Sequence, residues 1–465
     1  MPESFDVIII GSGQAGNPLA TSFAKAGRRV VLIEKYKLGG SCINYGCSPT
    51  KAILAVAERA HHARTDADYG LDTNVTVDMP TIIERKEGII QKMRQGVFEN
   101  LTKEQDGITV LDGHAVFTAP HTIEVTLSIG GTRTLTAPLV FINTGTRAAV
   151  PDIEGLMETP FLIPMSMLDL QKTPEHLVII GGGYIGLEFS QMYRRLGSRV
   201  TIVESGDNIL EREDPEICAA MQAMLEAEGI EFVLGAEVHH VSQNADGVYT
   251  VTATTEAGER RLRSSHLLVA VGREPNTHDL GLDQTGVALD DDGFVVVDDA
   301  LHTNVRGIYA LGDVKGGPQF THISYDDYRI VRDNILHGKS RTKKGRDVPY
   351  VVFTEPQLGR IGLTETQAHE QKLNYRVGIM PVRTIGRALQ TGFTEGLIKV
   401  LVDDDTNQIL GAAVFSEQGG EIMSMLQLAM HGGITCEMLQ DIIFAHPTWA
   451  ESLNNLFSKL EKPEK

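Results

Sequence analysis

The sequence predicts an α/β protein: two Rossmann-like βαβ domains followed by a C-terminal α+β domain. Three observations carry that prediction. A strand, glycine-loop, helix, strand pattern at residues 6–34 is repeated at 176–204. The last hundred or so residues change character, with alternating runs LIKVLVD at 397–403 and ILGAAVF at 409–415 that have the two-residue period of an antiparallel sheet. The length, 465 residues, suits about three domains at roughly 150 residues each.

In the first unit DVIII is a short apolar strand, GSGQAG a turn, NPLATSFAKAG an amphipathic helix and RRVVLIE a second strand. The strand is expected over 5–10. Gly11, Gly13 and Gly16 form G-x-G-x-x-G. Gly11 permits the tight turn, Gly13 lets a pyrophosphate approach the backbone, and Gly16 lets helix and strand pack closely. The helix N-terminus then turns orphan N–H groups and a partial positive charge toward the phosphates. Glu34 closes the next strand, 18 residues after Gly16, where a carboxylate accepts from ribose hydroxyls.

The second unit repeats this with Gly181, Gly183, Gly186 and Glu204. Two such sites imply two dinucleotides, naturally a tightly held FAD and an exchanging nicotinamide nucleotide. Glu204 favours a free ribose 2′-hydroxyl, hence NADH. A 2′-phosphate calls for arginine, and Ser205, Gly206 and Asp207 supply none; NADPH stays an alternative if a basic residue such as Arg212 arrives from elsewhere.

Further along, GIYALGD at 307–313 is a strand ending in Gly-Asp, and residues 338–346 are an exposed basic turn. A strand enters a mixed segment at 349–365, helices are expected at 419–431 and 448–460, and the charged tail 459–465 is expected to fray.

Hydrophobic residues make up 42% of the chain and charged ones 22%, enough for a core without disulfide or metal staples. The net charge of −19 speaks against nucleic acid and anionic lipid as partners. No signal-peptide pattern precedes the first strand, and no apolar run approaches the roughly 18 residues of a membrane span, so a cytoplasmic location without membrane attachment is expected. Of the four cysteines, Cys42, Cys47, Cys218 and Cys436, there are too few for a secreted framework; a disulfide here would be catalytic.

Cys42 and Cys47 lie in GGSCINYGCSPTK, residues 39–51. On an irregular helix start, that spacing can bring two sulfurs within disulfide reach. The alternatives are two packed cysteines or half of a metal site; no second Cys/His cluster has ligand spacing, so no metal is expected. Lys51 lies one helical turn past Cys47, where a cation lowers a thiolate pKa.

Together these motifs resemble the class I pyridine nucleotide–disulfide oxidoreductases, which include dihydrolipoamide dehydrogenase, glutathione reductase and mercuric reductase. The resemblance covers essentially the whole chain. It implies an FAD-dependent enzyme in four parts: the FAD domain's first piece at 1–147, an NAD(P) domain at 148–270, the FAD domain's second piece at 271–345 and a dimerisation domain at 346–465. It makes Cys42 the interchange thiol that meets substrate and Cys47 the charge-transfer thiol against the flavin. Lys51 sits near flavin N5 and pairs with Glu188 of GGGYIGLE, while Tyr184 gates the nicotinamide pocket. Thr144, Gly145, Gly312 and Asp313 fall in FAD motifs, and Gly272 with Arg273 marks the crossover between domains. Further cofactor contacts are implied at Gly40, Ser41, Ala115, Ile185 and Val238.

His446, Pro447, Thr448 and Glu451 form H-P-T-x-x-E. In the family the histidine is the proton donor and acceptor for the thiol, the glutamate orients it, and the pair reaches the partner subunit's site, which implies a homodimer. A surface His-Pro turn is the plainer alternative.

GGPQFTHISYDDYRIVRD, with His322, Asp326 and Asp327, and FAHPTWAESLNNLF resemble the branch that defends bacteria against reactive chlorine species and reduces hypothiocyanite. By itself the acidic pair reads as a solvated helix face. Tyr45 and Ser48 replace small aliphatic residues beside the redox pair, which puts the lipoamide channel in doubt. A C-terminal cysteine pair and an N-terminal metal-binding domain are absent, against mercuric reductase; Cys218 and Cys436 read as packed residues. The expectation is therefore an NAD(P)H oxidoreductase for a small thiol-reactive oxidant. The alternative is dihydrolipoamide dehydrogenase or another disulfide reductase. Mercury reduction is less expected, as is an FAD-bound redox sensor, which needs no proton relay.

Overall fold

In the computed structural model, which describes residues 2–103 and 106–463, the first unit forms the strand Val7–Ile10, the helix Gly16–Lys25 and the strand Val30–Glu34. The strand starts later than the apolar run, because the Phe5 N–H donates to Thr136 O at 2.9 Å instead of joining the central ladder. Five parallel strands lie in the order Ile108–Ala119, Val30–Glu34, Val7–Ile10, Leu139–Ile142, Ile308–Ala310. Val7–Ile10 therefore has strands on both sides, and the crevice at its carboxyl end is the switch point where such sheets bind ligands. The long strand Ile108–Ala119 leaves the parallel sheet after Asp112 and continues in an antiparallel meander with Thr122–Leu127 and Thr132–Thr136.

The second unit repeats the geometry. Its parallel sheet runs Ile230–Val233, Arg199–Val203, His176–Ile180, His266–Val269, with the helix Tyr184–Arg195 after the glycine loop. Gly11 and Gly181 have φ of +103° and +112°, a region that L side chains rarely adopt. A Cβ on Gly16 would strike Gly11 O, and one on Gly186 would strike Gly181 O, so the same close packing recurs in both repeats. A short antiparallel pair, Thr146–Ala148 with Arg273–Pro275, carries the chain out of the first sheet and back.

The C-terminal sheet is antiparallel, in the order Tyr350–Val352, Gln357–Gly362, Ile409–Ser416, Leu397–Asp403, Tyr375–Pro381. Its central strands are buried at nearly every position, because both faces are covered. Ile398, Val400 and Val414 pack on Ile422 and Leu426 of the helix Gly419–His431. Ala413 and Phe415 join a core with Leu187 and Met221 of the second unit. Between these domains Lys399, 2% exposed, reaches Glu365 at 2.7 Å, Asp214 at 3.0 Å and Glu216.

Four local expectations change. The helix expected at 448–460 is only Ser452–Phe457, preceded by a turn around buried Trp449. The tail does not fray within the described residues: Glu461 pairs with Val377 on the open edge of the sheet, and residues 464–465 lie outside the description. The helix Thr321–His337 is not solvated at its acidic pair, since Asp327 is 0% exposed. The basic stretch 338–346 supplies its counter-charge: Arg346 reaches Asp327 at 2.6 Å and Arg341 reaches Asp326 at 3.1 Å. A buried carboxylate without such partners would cost several kcal/mol, roughly 3–5. No helix among the described residues is long and apolar enough to cross a membrane.

Candidate active site

The segment 39–51 folds as two helices, Gly40–Asn44 and Cys47–Thr65, broken at Tyr45–Gly46. Asn44 closes the first: its Nδ2 donates to Leu38 O and Gly40 O, both at 2.9 Å. The Gly39 N–H donates to Ser12 Oγ at 3.0 Å, and a Cβ on Gly40 would sit 2.7 Å from Gly13 Cα. The cysteine segment is thereby pinned against the first glycine loop. Cys42 lies within the first helix, half-buried; Cys47 is the first residue of the second, with its surface exposed; Ser41 is exposed beside them.

Both cysteines are free thiols, hydrogen-bonded to each other. That bond is the largest influence on each. It lowers Cys47 to about 6, helped by the Thr321 hydroxyl at 3.3 Å and the Lys51 cation and opposed by burial. The same bond, with burial, pushes Cys42 well above the ordinary thiol range. Both effects favour placing the negative charge of the pair on Cys47 rather than Cys42.

Lys51 Nζ lies 2.7 Å from Glu188 Oε2, and the Glu188 side chain is 4% exposed. The other oxygen of Glu188 accepts the Phe353 N–H at 3.0 Å, and Lys51 Nζ stands 4.5 Å from the Phe353 ring centre. Three distant segments meet there. Replacing Lys51 with methionine leaves a buried carboxylate with one donor fewer. The expected loss is about 2 kcal/mol, below the figure for a fully buried pair because Lys51 is one-third open. Urea unfolding of the variant checks it; an unchanged midpoint would mean the pair is held by solvent.

The glycine loops fit dinucleotides. The helices Gly16–Lys25 and Tyr184–Arg195 both start without a side-chain cap, leaving N–H groups for phosphate. A Cβ on Gly183, Gly145 or Gly272 would meet nothing within 4 Å, so room exists at each. Glu34 accepts from the Ser12 N–H at 2.9 Å and hydroxyl at 2.7 Å; Glu204 accepts from the N–H of Gly182 at 2.5 Å and of Gly206 at 2.9 Å. Each acidic residue is tied to its own loop.

Thr144 and Gly145 are bracketed by Asn276, which donates from Nδ2 to Thr144 O at 2.9 Å and from its N–H to Gly145 O at 3.0 Å. Gly312 donates its N–H to Asp327 at 2.9 Å, and Asp313 accepts from Thr146 at 3.3 Å, near Arg273 at 3.5 Å. Ala115 is buried in the long strand, and Val238 lies at a bulge in Glu237–Gln243, away from the cysteines in sequence and sheet. Ile185 and Tyr184 pack on the second unit's core; the Tyr184 ring is 6.1 Å from Phe320.

Several residues of the site were not expected. Asn143 donates to Gly11 O at 3.0 Å and crowds Gly13 and Gly16; its only sequence signal is its place before Thr144. Phe320 stacks between His322 and Tyr350, with ring centres at 5.4 and 5.5 Å. Glu211 is the side chain that a Cβ on Gly206 would strike; it and Arg212 are both exposed. The Tyr45 ring lies 5.5 Å from Lys37 Nζ and makes no hydrogen bond to either sulfur among the described residues.

His446 donates from Nδ1 to both oxygens of Glu451, at 2.9 and 3.0 Å, with a side chain 74% exposed. It bonds neither cysteine of its own chain among the described residues. In the same domain Ile443 is 96% exposed, and Leu428, Met438 and Ile442 are exposed too. Cys218 and Cys436 are buried. No group of three or more His, Cys, Asp or Glu side chains suited to a metal occurs among the described residues.

Residues 5–327 match the sequence model of pyridine nucleotide-disulphide oxidoreductases, and 348–457 match that family's dimerisation domain. The chain is 39% identical to the probable pyridine nucleotide-disulfide oxidoreductase RclA of Escherichia coli, over 98% of this chain and 99% of that one. It is 35% identical to a mercuric reductase of Streptomyces lividans, over 97% and 94%. It is 32% identical to a dihydrolipoyl dehydrogenase of Haloferax volcanii, over 96% and 94%. Among solved structures, the HOCl-induced flavoprotein disulfide reductase RclA from Escherichia coli superposes with a TM-score of 0.88 at 39% identity, covering 97% and 99%. Its Cu(II) complex gives 0.89 at 38%, covering 98% and 99%.

Proposed function

The chain belongs to the pyridine nucleotide-disulphide oxidoreductase family, and on that footing we propose that it uses NADH to reduce a small thiol-reactive oxidant of the hypothiocyanite kind. That it is an FAD-dependent flavoprotein disulfide reductase follows from the family itself. The oxidant is our reading. The observation that carries it is the 39% identity, over 98% of this chain, to RclA of Escherichia coli, whose solved structure is described as an HOCl-induced flavoprotein disulfide reductase. Identity to the mercuric and lipoyl enzymes is lower, at 35% and 32%.

FAD, when bound, supplies the relay that takes a hydride from nicotinamide and passes two electrons to a Cys42–Cys47 disulfide. The chain's own residues then divide the work. The Lys51 cation favours the thiolate at Cys47. Cys42 loses its proton to His446 of the partner subunit, which Glu451 on that chain orients. The Cys42 thiolate attacks the electrophilic sulfur of hypothiocyanite; a Cys42–S–SCN bond forms and hydroxide leaves, protonated to water. Cys47 attacks Cys42 sulfur, the disulfide is restored and thiocyanate departs.

Three domains in four segments, with 1–147 and 271–345 for FAD, 148–270 for NAD(P) and 346–465 for dimerisation, suit this arrangement: the crossover pair at 146–148 and 273–275 and the C-terminal sheet from Tyr350 support them. We take the enzyme to be a homodimer, for which the dimerisation domain and the exposed apolar residues of that domain speak, and to act in the cytoplasm. The two-carboxylate setting of Glu204 and Glu211 favours NADH. The expected kcat/KM ratio of NADH to NADPH is about a hundredfold, the cost of placing a 2′-phosphate against like charge. The Glu204→Gln, Glu211→Gln double variant should narrow it at least tenfold; an unchanged ratio would place discrimination elsewhere.

The experiment that tests the function is NADH oxidation by the FAD-loaded protein with hypothiocyanite, lipoamide and glutathione disulfide in turn. Rapid turnover with hypothiocyanite alone supports the reading. Rapid turnover with lipoamide makes the protein a dihydrolipoamide dehydrogenase.

A further inference from the structure

We propose that Thr321 tunes the redox pair by donating its hydroxyl hydrogen bond to the Cys47 sulfur, so that Cys47 is held as the thiolate and Cys42 is left as the attacking thiol. This rests on the reading that Cys42 and Cys47 form the redox pair. Thr321 Oγ1 lies 3.3 Å from Cys47 Sγ, across 274 residues of sequence. With Cys47 as an anion only the hydroxyl can donate, which gives the contact a direction.

The surroundings favour negative charge at that sulfur. Cys47 is the first residue of the helix Cys47–Thr65, and Thr321 is the first residue of the helix Thr321–His337. Neither helix has a side-chain cap. Two uncapped helix N-termini, 19 and 17 residues long, therefore converge on one sulfur, each with orphan N–H groups and a partial positive charge. After the bond to Cys42, and against the effect of burial, the Thr321 hydroxyl and the Lys51 cation both make Cys47 more acidic.

The hydroxyl is also held in place. On one side Phe320 stacks on Tyr350, whose hydroxyl bonds Glu213. Along the helix, fully buried Asp327 accepts the Gly312 N–H at 2.9 Å and pairs with Lys315 at 3.2 Å and Arg346 at 2.6 Å. Thr321 is thus a positioning residue set on a rigid element, acting through Cys47.

The test uses FAD-loaded Cys42→Ser protein, in which the long-wavelength absorbance of the Cys47 thiolate against the flavin is followed with pH. Thr321→Val keeps the shape and removes the donor; Thr321→Ser keeps the donor. In the Val variant the midpoint should rise by about one to two pH units, the worth of a hydrogen bond to a charged group. In the Ser variant it should return to the parental value. A contact that matters only for folding would alter thermal stability and leave the midpoint in place, and an unshifted Val midpoint overturns the role of Thr321. If the Val variant binds less FAD, the pH dependence of iodoacetamide alkylation in the same background reads the same ionisation and decides in the same way. A parental protein with no titrating thiolate would overturn the redox-pair reading itself, and the proposal with it.

Discussion

Cys42→Ser protein loaded with FAD should oxidise NADH at the expense of hypothiocyanite at least about a thousandfold more slowly than the parent. Serine keeps the size of the side chain and its place in the helix Gly40–Asn44, so the glycine-loop contacts of Gly39 and Gly40 remain. What disappears is the only sulfur placed to attack, because the remaining active-site sulfur, Cys47, is committed to Thr321 and Lys51. Cys218 and Cys436 are buried and offer no substitute. The measurement is steady-state NADH consumption at equal FAD content. If the variant retains a tenth or more of the parental rate, the oxidant reacts at another centre and the interchange role of Cys42 is wrong.

His446→Gln should slow the same reaction by about a hundredfold to ten-thousandfold, the usual worth of a positioned acid–base group. Glutamine can still bond Glu451 but cannot shuttle a proton between two states. The stronger test is complementation. In a dimer whose sites each take cysteines from one chain and histidine from the other, co-expressing Cys42→Ser with His446→Gln rebuilds one intact site per mixed dimer. Random pairing then gives about a quarter of the parental activity, although each variant alone is nearly inert. No recovery would place histidine and cysteines in the same chain. The exposed ring, bonded to Glu451 and to neither cysteine of its own chain, sets up that expectation.

Much of this site can be read from the sequence because its demands are local. A glycine loop needs a left-handed φ at Gly11 and Gly181 and no Cβ at Gly16 and Gly186, and no other residue type meets those conditions. The cysteine spacing, Lys51 and the acidic residues ending each unit are also local. What could not be read are partners chosen by tertiary packing. Asn143 meets Gly11 across 132 residues, and Thr321 meets Cys47 across 274; neither stands at a periodicity or spacing that points to its partner. Asp327 was misread for the same reason. Helical phase shows which side a residue faces, but not that Arg346 and Lys315 lie against it. The short final helix differs because residues 448–451 are used in a turn around buried Trp449. Lys51–Glu188 came from family resemblance, and its geometry matches.

The outermost strand of the first parallel sheet, Ile308–Ala310, pairs with Leu139–Ile142 although the whole second unit separates them in sequence. On a ribosome this imposes a waiting time. At about 5–20 residues per second, roughly ten to thirty seconds pass between synthesis of the two strands. The second unit carries all four strands of its own sheet and is free to collapse meanwhile. The first must hold an open edge, with Val140 and Ile142 lacking the neighbours that bury them. The nascent chain is therefore most exposed to sticking and to chaperone capture in that interval, and Gly312 and Asp313 reach the cradle only when it closes.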